Sequence, residues 1–263
     1  MDKINELSKR QNAEEKLLIA KIIDKIKLAN GRNKLQNTNF MDLSQQETVK
    51  KILEARSDVN YSFDGGFEEA ERKVLIIEPY NVNYNKKINN EIMTIIRVTI
   101  PKELNGTFEH KTYLGALMKL GLRREKIGDI IVRYDGADII ILKEIENFLI
   151  DNLKNLTRFK KSKLEECNLE DLKYVLPKKE TFKINVPSMR LDCIVGELAR
   201  CSRSEANELL EQERVFVNFK EELRGSVQIK EDTFITIRGK GRFKILKITG
   251  ATRSGRLSVE IEK

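Results

Sequence analysis

The sequence has 263 residues, of which 40% are hydrophobic and 34% are charged, and its formal net charge is +8. This apolar content is sufficient for packed cores, which excludes a wholly disordered chain, and the length predicts about two or three domains. The longest aliphatic run, residues 139–142, is far shorter than the roughly 20 residues of a transmembrane helix. The N-terminus is charged and lacks the apolar stretch of a secretory signal, so we expect a cytoplasmic protein.

The residue types that metal sites and catalytic groups need are scarce. The three cysteines, Cys167, Cys193 and Cys201, include no Cys-x-x-Cys pair, which argues against a disulfide framework and against a zinc site. No nucleophile and base can be assembled around the single histidine, His110. No Gly-x-x-x-x-Gly-Lys-[Ser/Thr] motif supports ATP binding. We therefore predict no metal, no cofactor and no catalytic residue.

Residues 1–70 are predicted to form a helical region. Leu18, Ile22 and Ile26 recur at four-residue spacing, which is typical of one apolar helix face. A second helix is predicted to begin at Ser44, because Ser44 and Glu47 have the spacing of a capping box.

Residues 71–180 alternate between strand and helix patterns. Apolar runs predict strands at residues 73–77, 92–100, 130–134, 139–142 and 161–167, and helices at residues 111–120 and 144–156. Asp135-Gly136 predicts a two-residue hairpin turn. The β-α-β-β-α-β order predicts a ferredoxin-like or RRM-like domain, followed by a linker at Pro177-Lys178-Lys179-Glu180.

Residues 181–263 combine two short predicted helices with a β-rich segment, so the predicted fold class of the chain is α+β. The helices are expected at residues 191–199 and 203–212, and the strands at 215–217, 234–237, 243–248 and 257–261. Half of the net charge lies after residue 181, and residues 233–259 contain no acid. An unmixed basic segment of this kind is typical of contact with phosphate.

Four of these cations occur at every second position, namely Arg238, Lys240, Arg242 and Lys244. In an extended strand they would project from one face, about 7 Å apart. Gly239 and Gly241 could instead fold the segment into a loop that clusters the same charges beside exposed backbone N–H groups. The sequence leaves both arrangements open.

A second candidate phosphate site lies at the start of the helix at residue 203. Ser202 and Glu205 form a capping box, which places Arg203 at the first turn beside free N–H groups and a partial positive charge. Arg190 and Arg200 could flank this corner. The alternative is that Arg190 pairs with an acid such as Glu197 and only ties the helices together.

Several motifs in order resemble the S-four domain, the small αL RNA-binding module, from about residue 187 to residue 244. They are Arg190-Leu191-Asp192, Ser202-Arg203-Ser204, the Val-x-Val-Asn ending at Asn218, and the basic glycine turn. The resemblance implies that this module faces structured RNA. The predicted RNA-binding residues are Arg190, Arg200, Ser202, Arg203, Ser204, Lys220, Arg238, Lys240, Arg242 and Lys244. Glu213 and Phe219 stand where members usually have glycine, and Phe219 argues against a tight hairpin there.

The rest of the chain resembles YlmH-type bacterial S-four proteins. The motifs are Gly65-Gly66-Phe67, the Leu-Gly-Ala-Leu-Met at 114–118 and the Leu-Gly-Leu-Arg-Arg-Glu at 120–125. The resemblance implies a ribosome-associated factor of translation quality control, encoded among division genes. Its expected partner is rRNA of the large ribosomal subunit carrying a stalled peptidyl-tRNA, with tRNA as a further candidate, no membrane partner and a monomeric state. Arg123, Arg124 and Lys126 are candidates for secondary RNA contacts, although a polar loop in solvent is the favoured interpretation of these three residues.

Two other functions must be weighed. S-four modules often accompany RNA-modifying enzymes, so the chain could be an accessory of such an enzyme. A pseudouridine synthase would need a Gly-Arg-Leu-Asp motif and a methyltransferase a glycine-rich strand–helix turn, and neither pattern is found. The N-terminal helices could alternatively dock a partner in cell division. We predict a non-catalytic RNA-binding protein.

Overall fold

The computed structural model describes residues 2–79, 89–174 and 180–263, and the fold is α+β. Pro177, Lys178 and Lys179 of the predicted linker lie outside the described residues. The chain divides into two compact units, residues 14–175 and residues 1–13 with 176–263. Among the described helices, none combines the length and the apolar character that a bilayer crossing requires.

The first part of the unit at 14–175 is a three-stranded antiparallel sheet with two helices. Its elements are α1 (Asp2–Arg32), β1 (Gln36–Asn37), α2 (Leu43–Glu54), β2 (Asn60–Asp64) and β3 (Val74–Glu78), with strand order β1-β3-β2. Ile22 and Ile26 are buried in one core with Val49 and Leu53 of α2, so the predicted apolar face of α1 is confirmed.

Two sequence predictions in this region are wrong. The helix α2 is capped by Asp42, whose carboxylate accepts the Gln45 N–H at 2.9 Å, and not by Ser44. The reason is that Met41 still pairs with Lys73 as in a strand, so the helix begins directly after it. Residues 1–70 are not purely helical, because this region also contains the strands β1 and β2, which both pair with β3.

The second part of this unit is a four-stranded antiparallel sheet with two principal helices. Its elements are α3 (Asn89–Ile92), β4 (Met93–Thr99), α4 (His110–Lys119), β5 (Ile127–Arg133), β6 (Gly136–Leu142), α5 (Glu146–Leu153) and β7 (Lys163–Cys167). The strand order is β5-β6-β4-β7, and from β4 onward the elements follow the predicted β-α-β-β-α-β order. Leu117 of α4 and Leu149 of α5 are fully buried in the core beneath this sheet.

The hairpin between β5 and β6 is displaced by one residue from its predicted position. Arg133 pairs with Gly136, so the two-residue connection is Tyr134-Asp135 rather than Asp135-Gly136. Gly136 has φ +154°, and a Cβ there would lie 1.9 Å from the carbonyl oxygen of Val98 on β4. Gly136 is therefore needed where two strands approach each other and not as a turn residue.

The unit that contains residues 176–263 is a six-stranded sheet covered by two helices. Its elements are β8 (Thr181–Val186), α6 (Leu191–Ala199), α7 (Arg203–Glu211), β9 (Val215–Val217), β10 (Lys220–Glu221), β11 (Phe234–Ile237), β12 (Gly241–Ala251) and β13 (Leu257–Glu262). The sheet order is β10-β9-β11-β12-β13-β8. Ile194 of α6 and Leu210 of α7 share one core with Ile235 and Ile245 of the sheet, so both helices cover the same sheet face. The predicted helices and strands are confirmed, and β12 is markedly longer than predicted. The strands β8 and β10 are not among the predicted ones.

A tight hairpin joins β9 to β10, contrary to the expectation from Phe219. Val217 pairs with Lys220, and the two turn residues Asn218 and Phe219 have φ 45° and 67°. The neighbouring strand secures this turn, because Asn218 donates its N–H to the Phe234 carbonyl at 2.8 Å and accepts the Phe234 N–H at 2.9 Å.

Candidate nucleic-acid interface

The capped helix start that the sequence predicts at residue 203, called here the helix-end corner, is present at the N-terminus of α7. The Ser202 hydroxyl accepts the Glu205 N–H at 3.2 Å, and the Glu205 carboxylate accepts the Ser202 N–H at 2.8 Å. This reciprocal capping box satisfies two N–H groups and fixes the helix start at Arg203. Arg203 and Ser204 therefore occupy the first turn, and both are exposed.

One buried carboxylate holds two arginines at this corner. Arg190 donates through Nε and Nη2 to the two oxygens of Asp192 at 3.1 and 2.8 Å. Arg203 donates through the same two atoms to Oδ2 of Asp192 at 2.9 and 2.8 Å. The alternative pairing of Arg190 with Glu197 is not formed, since Glu197 accepts from Arg256 at 3.1 Å.

This arrangement leaves the corner positive. Burial would raise the pKa of Asp192, but the hydrogen bonds from Arg190 and Arg203 outweigh it and hold that pKa well below its usual range. The carboxylate is therefore charged at neutral pH and neutralises only one of the two guanidinium groups. The Arg203 side chain is 60% exposed, so a phosphate can approach it beside the helix N-terminus.

A concave groove of about 740 Å³ lies between α6, β8 and the turn that joins β11 to β12. It brings together two of the predicted RNA-binding residues, Arg200 at the end of α6 and Lys240 in the turn. Its charged lining residues are Lys183, Arg200, Lys240, Arg256, Lys263, Glu180 and Glu197. Cations outnumber acids in this groove, which favours an anionic ligand.

The structure divides the remaining cations between the two arrangements that the sequence left open. Gly239 and Gly241 have φ 85° and 120°, and they place Arg238 and Lys240 in a turn. Arg242 and Lys244 lie on β12, where Phe243 between them faces the core beneath α6 and α7. Since side chains alternate along a strand, Arg242 and Lys244 project from the opposite sheet face.

The predicted RNA-binding residues thus do not share a single surface. Arg190 and Arg203 lie in the helix layer, and Arg242 and Lys244 lie on the sheet face that the helices leave open. Lys220 is exposed at the start of the edge strand β10.

The three candidate secondary contacts have different surroundings. Arg123 is 70% exposed and lies 3.1 Å from the Glu125 carboxylate. Arg124 donates to the carbonyls of Ile127 and Gly128, and burial lowers its pKa to about 10. Lys126 donates to the Asn39 side chain at 2.9 Å and pairs with Glu144. Arg124 and Lys126 therefore hold this loop in place, while Arg123 extends into solvent.

Sequence reasoning missed Lys183 and Lys263 as members of the groove. They lie on β8 and directly after β13, and the antiparallel pairing of these two strands brings their ends together. The alternation of polar and apolar residues in 181–186 is the local signal that could have found this strand. Within the residues that the structure describes, no three His, Cys, Asp or Glu side chains are grouped so that they could hold a metal ion.

An α+β protein with a basic groove and a positive helix-end corner has the features of a nucleic-acid-binding protein, and the comparisons identify its family. The family model described as "YlmH, N-terminal" matches residues 14–82, and the one described as "Putative RNA-binding domain in YlmH" matches residues 86–171. Together they match more than half of the chain, which therefore belongs to the YlmH family, as its motifs predicted.

Two relatives accompany these matches. The chain is 25% identical over 260 residues to the "Ribosome-associated protein quality control protein P2" of Bacillus subtilis (strain 168), covering 95% of each chain. It is also similar to the solved "Cell division protein ylmH from Streptococcus pneumoniae", with 22% identity and a TM-score of 0.49. That likeness covers 60% of this chain and 93% of the solved one.

Proposed function

We propose that this protein is a non-catalytic RNA-binding protein that associates as a monomer with rRNA of the large ribosomal subunit. We place its role in the rescue or quality control of stalled translation. The observation that carries the proposal is the basic groove at Arg200 and Lys240, which adjoins the helix-end corner through the short connection from Arg200 to Arg203. The Bacillus relative is named as ribosome-associated, and the family model at 86–171 is named for RNA binding.

The proposal includes a domain layout. We infer that residues 181–263 form an S-four module with a β extension, and that the β-α-β-β-α-β region before it is ferredoxin-like or RRM-like. The pairing of β3 with β1 and β2 favours extending the N-terminal region beyond residue 70 to include β3. In this layout the C-terminal module supplies the predicted RNA-binding residues, and Arg123 is a secondary contact from the middle region.

Charge reversal in the groove is expected to weaken ribosome binding. Co-sedimentation of the full chain with purified large subunits should show Arg200→Glu and Lys240→Glu binding about five- to tenfold more weakly than wild type. The plot of log affinity against log salt should become shallower by about 1 for each phosphate contact that is lost. Both side chains are exposed, so the folded state should be retained.

Lys50→Glu is the matched control. It makes the same charge change at an exposed lysine on α2, outside the C-terminal unit, and should bind as wild type does. Equal binding by wild type and both groove variants would overturn the assignment of the groove. Wild-type binding that does not weaken as salt rises would overturn the phosphate-contact mechanism.

A further inference from the structure

The sheet face opposite α6 and α7 carries a row of aromatic and cationic side chains. In the antiparallel register, Thr236 of β11 lies between Phe216 of β9 and Arg242 of β12. Phe234 lies opposite Lys244 in the same way. Directly opposed residues project from the same face of a sheet. This is the face away from the helices.

Three phenyl rings on this face each lie beneath a cation. Arg238 lies over the Phe216 ring at 4.7 Å, Arg242 over the Phe219 ring at 5.2 Å, and Lys244 over the Phe234 ring at 5.7 Å. We call this set the outer sheet face. Its members are Phe216, Phe219, Phe234, Arg238, Arg242 and Lys244.

Phe219 occupies a backbone conformation that favours glycine. Its φ is 67°, in the left-handed region that bulky residues seldom adopt. The ring packs against Phe234 with centroids 5.2 Å apart and lies beneath the Arg242 guanidinium. A large ring is thus held at a strained turn position beside Phe234, the first residue of β11, and it extends the aromatic surface beyond the start of that strand.

The cations on this face lie among acids that they do not bury. The Glu221 carboxylate lies 3.7 Å from Arg238, Asp232 lies 3.0 Å from Lys244, and Glu262 is opposite Lys244 in the strand register. Surface ion pairs of this kind are weak and are screened by salt, so a phosphate can compete for the cations. The three rings are only half-buried, so part of each ring is accessible.

We propose that the outer sheet face binds unpaired nucleotides of an RNA, with bases stacked on the rings and on the Arg242 guanidinium. Phosphates of the same strand contact Arg238 and Lys244. Aromatic rings beside cations are the arrangement by which proteins bind single-stranded RNA, because every base offers a face for stacking. This inference rests on the proposed RNA-binding function and adds the class of RNA that this face takes. The groove and the helix-end corner lie on the helix side of the sheet.

The test is the affinity of the full chain for a fluorescently labelled 12-nucleotide oligo(A), measured by anisotropy. Phe219→Gly should bind about tenfold more weakly, since one stacking surface is lost. Its salt dependence should match that of wild type, because no charge is removed. Glycine relieves the strained φ at this position, so the variant should fold, which thermal unfolding will verify. Phe219→Tyr keeps the ring and should restore wild-type affinity.

Phe148→Ala is the control, because Phe148 is an exposed phenylalanine on α5 in the other unit. The affinity of this variant for oligo(A) should equal that of wild type. Failure of wild type to bind oligo(A), or equal binding by wild type and Phe219→Gly, would overturn the inference. Co-sedimentation with large subunits tests the proposed function separately. If the wild-type protein sediments with large subunits but wild type and Phe219→Gly bind oligo(A) equally, only this inference is refuted. If oligo(A) binding depends on Phe219 but the wild-type protein does not sediment with large subunits, only the ribosomal role is refuted.

Discussion

Asp192→Asn is expected to lower the free energy of unfolding by about 2 to 3 kcal/mol at neutral pH. The amide removes the negative charge that binds both Arg190 and Arg203, and its NH2 group cannot accept their hydrogen bonds. This loss of stability is smaller than the largest values for a broken buried ion pair, because the Arg203 side chain is 60% exposed and can be hydrated when its partner is removed. Urea unfolding of the full chain measures this difference.

The size of this effect should depend on pH. The pKa of Asp192 in the folded chain lies below that of an unfolded aspartate, about 3.9, because two arginines donate to it. Its stabilisation is therefore complete well above pH 4 and is lost as the pH falls through the folded pKa. The unfolding free energies of wild type and Asp192→Asn should converge in acid.

Asp232→Asn provides the comparison, because Asp232 pairs with Lys244 but its side chain is 79% exposed. Its effect should stay below about 1 kcal/mol. A difference between wild type and Asp192→Asn that stays constant down to pH 2 would contradict the described role of this carboxylate.

Gly136→Ala should be more damaging, with a loss of at least about 4 kcal/mol or failure to fold. The new Cβ would lie 1.9 Å from the carbonyl oxygen and 2.9 Å from the carbonyl carbon of Val98. Both atoms belong to the backbone of β4, so no flexible side chain can move aside. Alanine would also have to adopt φ +154°. Calorimetry of the full chain should show a large fall in Tm.

Gly115→Ala is the matched control for this substitution. Gly115 lies inside α4, and a Cβ built there meets no other atom within 4 Å. Alanine is the better helix former, so this variant should be more stable than wild type by up to about 1 kcal/mol. If Gly136→Ala unfolds at the wild-type temperature, the close approach of β4 and β6 is refuted.

The helices and four of the strands of the C-terminal unit could be predicted because their signals are local, whereas β8 and β10 were missed. The capping box at Ser202 and the apolar alternation of the strands involve residues only a few positions apart. The start of α2 was different, since the spacing of Ser44 and Glu47 predicts a capping box that the structure instead forms at Asp42 and Gln45. The pairing of Met41 with the distant Lys73 decides between them, and local sequence does not contain that information.

The candidate site was predicted residue by residue but not in its arrangement. The capping box at Ser202 identified Arg203, and the acid-free basic segment identified Arg242, but the two residues lie in different layers of the unit. Their separation depends on which face of β12 is buried. Phe219 in the sequence argues against a tight hairpin, and this prediction is wrong. The ring packs against Phe234 on a strand that follows later in the chain, which local sequence does not reveal.

The pairing of β8 with β13 has a consequence for synthesis. Val186 pairs with Leu257 and Thr181 with Glu262. The strand β8 therefore cannot pair with β13 until residues 257–262 have been translated. The helices and the hairpins of β9 to β12 emerge from the ribosome earlier, while β8 still has no partner strand. Closing so long a loop costs entropy before any contact repays it, which slows folding. In a chain released before residue 257, β8 would have no strand to hold it as a wall of the groove, and β12 would expose an unpaired edge, which is a template for aggregation.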